Sequence, residues 1–175
     1  MISKDIEKFI NNTKKLEKGH QLDLSSGEDL SLAIMNLIGI EEHMFFTSQK
    51  LGNTKYIDVL NTAREMRKEL MKKIVKEGQG EVWCTSKHLL SASMRLMEVG
   101  TKSLTKGDKR EANDYFKKSF DLYNLFWGLN LGLIDSNIGT HHDAFVSKKE
   151  KPLAQKSLMG TIGKTINKIL DCCRE

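Results

Sequence analysis

The sequence predicts an all-α fold: an up-down-up-down four-helix bundle core with an additional N-terminal helix and a C-terminal amphipathic helix. Three observations carry this expectation. The 175 residues contain a single proline, and a sheet protein would need denser turn punctuation than that. Apolar residues recur at steps of three and four over long stretches, the period of a helix face. Two capping boxes, Ser25 with Glu28 and Asp108 with Glu111, mark helix starts, because in such a pair each side chain satisfies a backbone N–H that a helix N-terminus leaves free.

Taken in order, the first helix is expected over about Ser3 to Glu17, with Ile2, Ile6, Phe9, Thr13 and Leu16 on one face and Gly19 ending it. The second starts at the Ser25 capping box, runs to about Lys50 and stops at Gly52. The third, from Lys55 to about Lys76, puts Val59, Ala63, Met66 and Leu70 on one face and breaks at Gly78 and Gly80. The fourth runs from about Val82 to Lys106 and ends at Gly107, and the fifth opens at once with Asp108. It buries Ala112, Tyr115, Phe116, Ser119, Leu122, Tyr123 and Phe126, then turns apolar all round through Trp127, Leu129, Leu131 and Leu133. Such an end is either central or covered by a partner. The sixth helix opens at Pro152, with Leu158, Ile162, Ile166, Ile169 and Cys173 forming a stripe opposite Lys156, Lys164 and Lys168.

This divides the chain into a helical bundle domain over 1–134, a linker over 135–151 and a basic amphipathic C-terminal helix over 152–175, docked on the bundle or on a partner. The length suits one core. The charged start, MISKDIEKF, does not resemble an export signal. The longest apolar run, Leu122 to Ile134, is broken by Asn124 and Asn130 and is too short to span a bilayer. Three cysteines, Cys84, Cys172 and Cys173, form no disulfide framework and suit a reducing compartment. The cytoplasm is therefore the expected location.

Chemistry concentrates on two helices. On the fourth, Val82, Trp83, Leu89, Leu90, Met94 and Met97 cluster as a packing face, while Cys84, His88, Ser91, Arg95, Glu98 and Lys102 form a stripe of functional side chains on the other side. A semi-polar interface satisfied by hydrogen bonds explains that stripe more simply than an active site does. The second helix adds Glu41, Glu42 and His43, and Glu41 shares a stripe with Ile34, Leu37, Ile38 and Phe45. A carboxylate pointing inward needs a cation, because burial without one costs several kcal/mol, roughly. Arg95 is the expected partner, since counting up the two helices sets Glu41 to His43 level with Arg95 to Glu98. Together with His88 and Asp121, these residues are the candidate lining of an interior ligand pocket.

A metal ion is a possible occupant, held by Glu42, His43 and Glu98 or by Cys84 and His88, a ligand pair at helical spacing. The two sets cannot share one ion: His43 and His88 fall on the order of 15 Å apart along the bundle. Ferritin-like di-iron bundles need a Glu-x-x-His on each of two helices. The resemblance to them is partial, because Glu65-x-x-Lys68 and Asp121-x-x-Asn124 stand where those motifs belong. In the tail, Gly163-Lys164-Thr165 resembles the end of a phosphate-binding loop, but Leu158 takes the place of its first glycine and no strand precedes it.

The run from Gly107 and Asp108 through Ala112, Tyr115, Phe116, Ser119 and Leu122 locally resembles the second helix of a tetratricopeptide hairpin. It occurs once, so no solenoid follows. The hairpin style is also similar to HEPN bundles, whose nuclease members carry an Arg followed after a short spacer by His. None of Arg64, Arg67, Arg95, Arg110 or Arg174 is followed that way.

Charge is uneven. Residues 146–175 carry Lys148, Lys149, Lys151, Lys156, Lys164, Lys168 and Arg174 against three acids, most of the formal net charge of +5. That allows nucleic-acid binding through the tail, although aromatic residues do not interleave with the basic ones. The function expected first is a non-catalytic module that self-associates, as a homo-oligomer, or binds a protein partner through the apolar end of the fifth helix. A bundle holding a metal ion or small polar ligand comes second. An enzyme using His43 or His88 as acid or base, and nucleic-acid binding through the tail, come after it.

Overall fold

The computed structural model describes residues 24–75, 80–134 and 163. Among them the chain is all-helical, with no strand and four helices: α1 (Leu24–Leu51), α2 (Lys55–Ile74), α3 (Glu81–Thr105) and α4 (Lys109–Asn130). The expected first helix lies outside the described residues, as do the linker and the expected sixth helix apart from Gly163, which is helical. No described helix is long and apolar enough to cross a membrane.

The turns follow from the sequence. Gly52 and Gly107 adopt φ of +60° and +85°, the left-handed conformation that closes a helix and that a Cβ disfavours. Asp108 caps α4, its Oδ1 accepting from the Glu111 N–H at 2.9 Å. The reciprocal half of that capping box does not form. The Asp108 N–H already donates to the Ser103 carbonyl, and the Glu111 carboxylate accepts from the Ser103 hydroxyl instead. At the start of α1, Ser25 lies inside the helix, one residue past its first.

The short turns make two hairpins, α1–α2 and α3–α4. The second is antiparallel along its length, as hydrogen bonds join Ser103 to Glu111, Ser93 to Ser119 and Ser86 to Asn130. Its seam is built from small residues at heptad spacing, Ser86, Ser93 and Gly100 facing Ala112 and Ser119, all buried. Ser93 and Ser119 each donate to the other's backbone carbonyl, at 2.8 and 2.7 Å, so close approach leaves no hydroxyl unsatisfied. Gly100 is required there: a Cβ would lie 2.6 Å from a ring carbon of Phe116.

One core joins the hairpins. Ile34, Met35 and Ile38 of α1, Met71, Ile74 and Val75 at the end of α2, Leu90 of α3, Phe126 and Trp127 of α4, and Leu133 pack together. The apolar end of α4 is thus central, with Phe126 and Trp127 fully buried, and is not the exposed surface that partner binding through it would need. Two faces differ from expectation. On α2 the buried stripe is Ala63, Arg67, Met71 and Ile74, while Val59 and Met66 are about half exposed. On α3 the buried stripe is mainly serine and glycine, and Met97 is exposed. In both helices polar or small residues share the buried stripe with large apolar ones, Arg67 with Met71 and Ser86 and Ser93 with Leu90, so an apolar count alone misplaces the face.

Candidate functional site

The polar residues singled out on α1 and α3 separate into two ion-pair systems. Glu41 does turn inward, but its partner is Arg67 of α2, not Arg95. The Arg67 guanidinium donates through Nε to Glu41 Oε1 and through Nη2 to Oε2 at 3.2 Å, while Nη1 lies 3.5 Å from the Met71 sulfur. The Arg67 side chain is 3% exposed and that of Glu41 15%. The two-pronged geometry is the one that best satisfies a guanidinium taken out of water. The reason for the changed partner is topological. Glu41 points along α1 toward its own hairpin mate, and only its neighbour Glu42, 100° further round the helix, faces α3.

Glu42 meets Arg95, which also donates to Glu98 one turn further along α3. This triad is half exposed and forms one wall of an open groove between α1 and α3 with a volume of about 610 Å³. His43 and Lys50 add polar groups, while Ile40, Met44, Phe46 and Met94 supply apolar surface. The structure therefore brings together Glu42, His43, Arg95 and Glu98 of the candidate set. Glu41, His88 and Asp121 do not line this groove.

Among the described residues no group of three or more His, Cys, Asp or Glu side chains is placed to hold a metal. Glu42 and Glu98 are occupied by Arg95, and His43 is exposed beside them. Cys84 and His88 are both exposed on α3 without a third ligand among the described residues. Lys148, Lys149, Lys151, Lys156, Lys164 and Lys168 lie outside the described residues.

A second polar cluster is buried where α4 crosses α1. The Ser31 hydroxyl hydrogen-bonds the Tyr123 hydroxyl at 2.7 Å and donates to the Glu28 carbonyl. Burial, reinforced by the negative charge of Glu28 and Asp29, raises the Tyr123 phenol above its usual range, partly offset by the Ser31 hydrogen bond and the nearby Trp127 N–H. Among the described residues that indole N–H is buried without a hydrogen-bond partner, as is Asn124 Oδ1. In the sequence Asn124 interrupts an apolar run and stands where a di-iron bundle would place a histidine, and neither reading marks it as a buried amide at 2% exposure.

Apolar side chains gather at the end where α1 turns into α2. Leu51 is 64% exposed, Phe46 57% and Phe45 50%, with Ile57 and Val59 also uncovered. Phe45 sits seven residues beyond the buried Ile38, on the same stripe of α1, so the apolar face of that helix continues past the core. The Phe45 and Phe46 rings meet edge to face at 5.2 Å.

No family model matches the chain, and neither a curated protein nor a solved structure matches it significantly.

Proposed function

We propose that the chain is a non-catalytic helical interaction module that self-associates or binds a protein partner through the apolar end where α1 turns into α2. The observation that supports this reading is Phe45, a core-stripe residue left half exposed beside Phe46, Leu51, Ile57 and Val59. Exposed apolar side chains at one helix end, two of them in ring contact, are what an association site offers. In this reading the four helices form an up-down-up-down bundle flanked by an N-terminal helix and a C-terminal amphipathic helix, working in the cytoplasm as a homo-oligomer or with a protein partner.

Sedimentation velocity tests the self-associating form. The wild-type chain is expected to sediment as a dimer or larger species at tens of micromolar, roughly the range of a modest interface, and Phe46→Glu with Leu51→Glu is expected to return it to monomer with its helicity intact. A wild-type chain that remains monomeric, or an unchanged oligomer in the double variant, refutes association through this end.

A second reading is favoured by the groove between α1 and α3, whose Glu42, His43, Arg95 and Glu98 suit a small polar ligand with an apolar part. Elemental analysis of untagged protein separates the metal version from an organic ligand.

A further inference from the structure

Both interhelical turns emerge at one end of the molecule. Along α1 the cross-ties run from Ser31, bonded to Tyr123 of α4 at a height between Ser86 and Ser93 of α3, to Glu42, bonded to Arg95. The two helices are therefore parallel. Leu51 lies about 14 Å beyond Glu42 and Thr105 about 15 Å beyond Arg95, which sets the Gly52 and Gly107 turns at nearly the same height.

This end is basic. Lys50, Lys55, Lys102, Lys106, Lys109 and Arg110 are all exposed on it, and among the described residues none of them forms an ion pair. The nearby acids are Asp58, Asp108 and Glu111, of which Asp108 is engaged in capping α4 and Glu111 with the Ser103 hydroxyl. Helix dipoles explain only half of the cations. Lys50, Lys102 and Lys106 sit at helix C-termini, where positive charge is favourable, but Lys55, Lys109 and Arg110 open α2 and α4, where it is not. Large apolar side chains stand uncovered among them, Leu51 and Ile57 on one turn and Leu104, 47% exposed, on the other.

We infer that this end binds the surface of an anionic lipid bilayer, its cations on the charged headgroups and Leu51, Ile57 and Leu104 entering the boundary between headgroups and acyl chains. The chemistry selects this partner. Cations alone would serve a nucleic acid, but aliphatic side chains offer the bases neither stacking nor hydrogen bonds. Apolar side chains alone would serve a protein, and would need no ring of like charge around them. An anionic membrane surface takes up both together: its negative potential draws the lysines, and the apolar groups gain by leaving water. The inference does not rest on association through the α1–α2 turn, because Lys106, Lys109, Arg110 and Leu104 belong to the other turn.

The test is cosedimentation of the full chain with vesicles, either of phosphatidylcholine alone or with about a third phosphatidylserine. Binding is expected to the anionic vesicles only, and is expected to be lost as salt rises to about 0.5 M, which shortens the reach of exposed charges. The Lys106→Gln, Lys109→Gln, Arg110→Gln variant is expected to bind them about a hundredfold more weakly. Its helicity and sedimentation should be unchanged, so that lipid binding and self-association are read separately. Equal binding to both kinds of vesicle, or none to the anionic ones, would overturn the inference. Full binding by the triple variant would also overturn it, placing the contact on lysines elsewhere in the chain. Retention on immobilised polyglutamate or duplex DNA without vesicle binding would do the same, assigning this end to an acidic protein or a nucleic acid.

Discussion

Replacing Glu41 with alanine leaves the Arg67 guanidinium without its carboxylate in a place where only 3% of the side chain reaches water. Its remaining named neighbour is the Met71 sulfur, a weak acceptor. Removing one member of a buried pair costs about 3–5 kcal/mol, because the cost is that of an uncompensated charge rather than of the lost bond. Glu41 itself is 15% exposed, so some water can enter, and about 3 kcal/mol is the expected loss. For a chain of this size that lowers Tm by about 6–12 °C and shifts the urea midpoint without changing the slope. The paired replacement Glu41→Leu with Arg67→Met should recover most of this loss, to within about 1 kcal/mol of wild type, since it removes both charges while keeping the volume. Urea unfolding followed by circular dichroism compares the wild type, Glu41→Ala and the paired variant. A Glu41→Ala protein within about 0.5 kcal/mol of wild type, or a paired variant no better than the single one, would refute the reasoning.

Three other outcomes follow from the geometry. Gly100→Ala gains about 1 kcal/mol of helix propensity but drives a methyl group to 2.6 Å from Phe116 and 3.3 Å from the Ala112 carbonyl. A net loss of about 1 kcal/mol is expected by thermal unfolding, and it should vanish in the Gly100→Ala, Phe116→Leu double variant. Tyr123, raised above 10.0 chiefly by burial, keeps its proton at alkaline pH where the unfolded chain has lost it. Its contribution is therefore complete below about pH 10 and lost as pH rises beyond that, so absorbance titration at 295 nm should show one late-ionising tyrosine that Tyr123→Phe removes. Arg95→Ala, at a half-exposed triad, should change stability by no more than about 0.5 kcal/mol; a loss several times larger would show that the groove wall is structural.

The helix boundaries were legible because they rest on local chemistry. Gly52, Gly107 and Asp108 act through their own φ angles and their own side chains, and no distant contact can move them far. Interior faces were less legible. On α2 the expected face of Val59, Ala63, Met66 and Leu70 shares Ala63 with the buried stripe but takes Met66 and Leu70 where their next neighbours Arg67 and Met71 are the buried residues. Arg67 hides this register, since nothing in the sequence says that Glu41 neutralises it from 26 positions away. The groove was partly legible: counting along the helices set Glu42 and His43 level with Arg95 and Glu98. That count fixes height but not azimuth, which is why Glu41 was given the wrong arginine. Asn124 was not legible at all as a buried amide, because its surroundings include a residue 39 positions further on, as Gly163 shows.

The serine-lined seam between α3 and α4 also bears on the order in which the molecule assembles. Its ties close loops of modest length: 8 residues for Ser103 with Glu111, 26 for Ser93 with Ser119 and 44 for Ser86 with Asn130, all nested on the Gly107 turn. Each closure shortens the next, so the entropy lost at every step is small. The links between the two hairpins, Glu42 with Arg95 and Ser31 with Tyr123, span 53 and 92 residues. On loop length alone each hairpin, the α1–α2 pair tied by Glu41 and Arg67 across 26 residues included, is expected to form before the two join, with the nested α3–α4 ties closing at least cost. Amide protons along Ser93 and Ser119 should be the last to exchange with solvent, and those of α1 beyond Glu42 among the first.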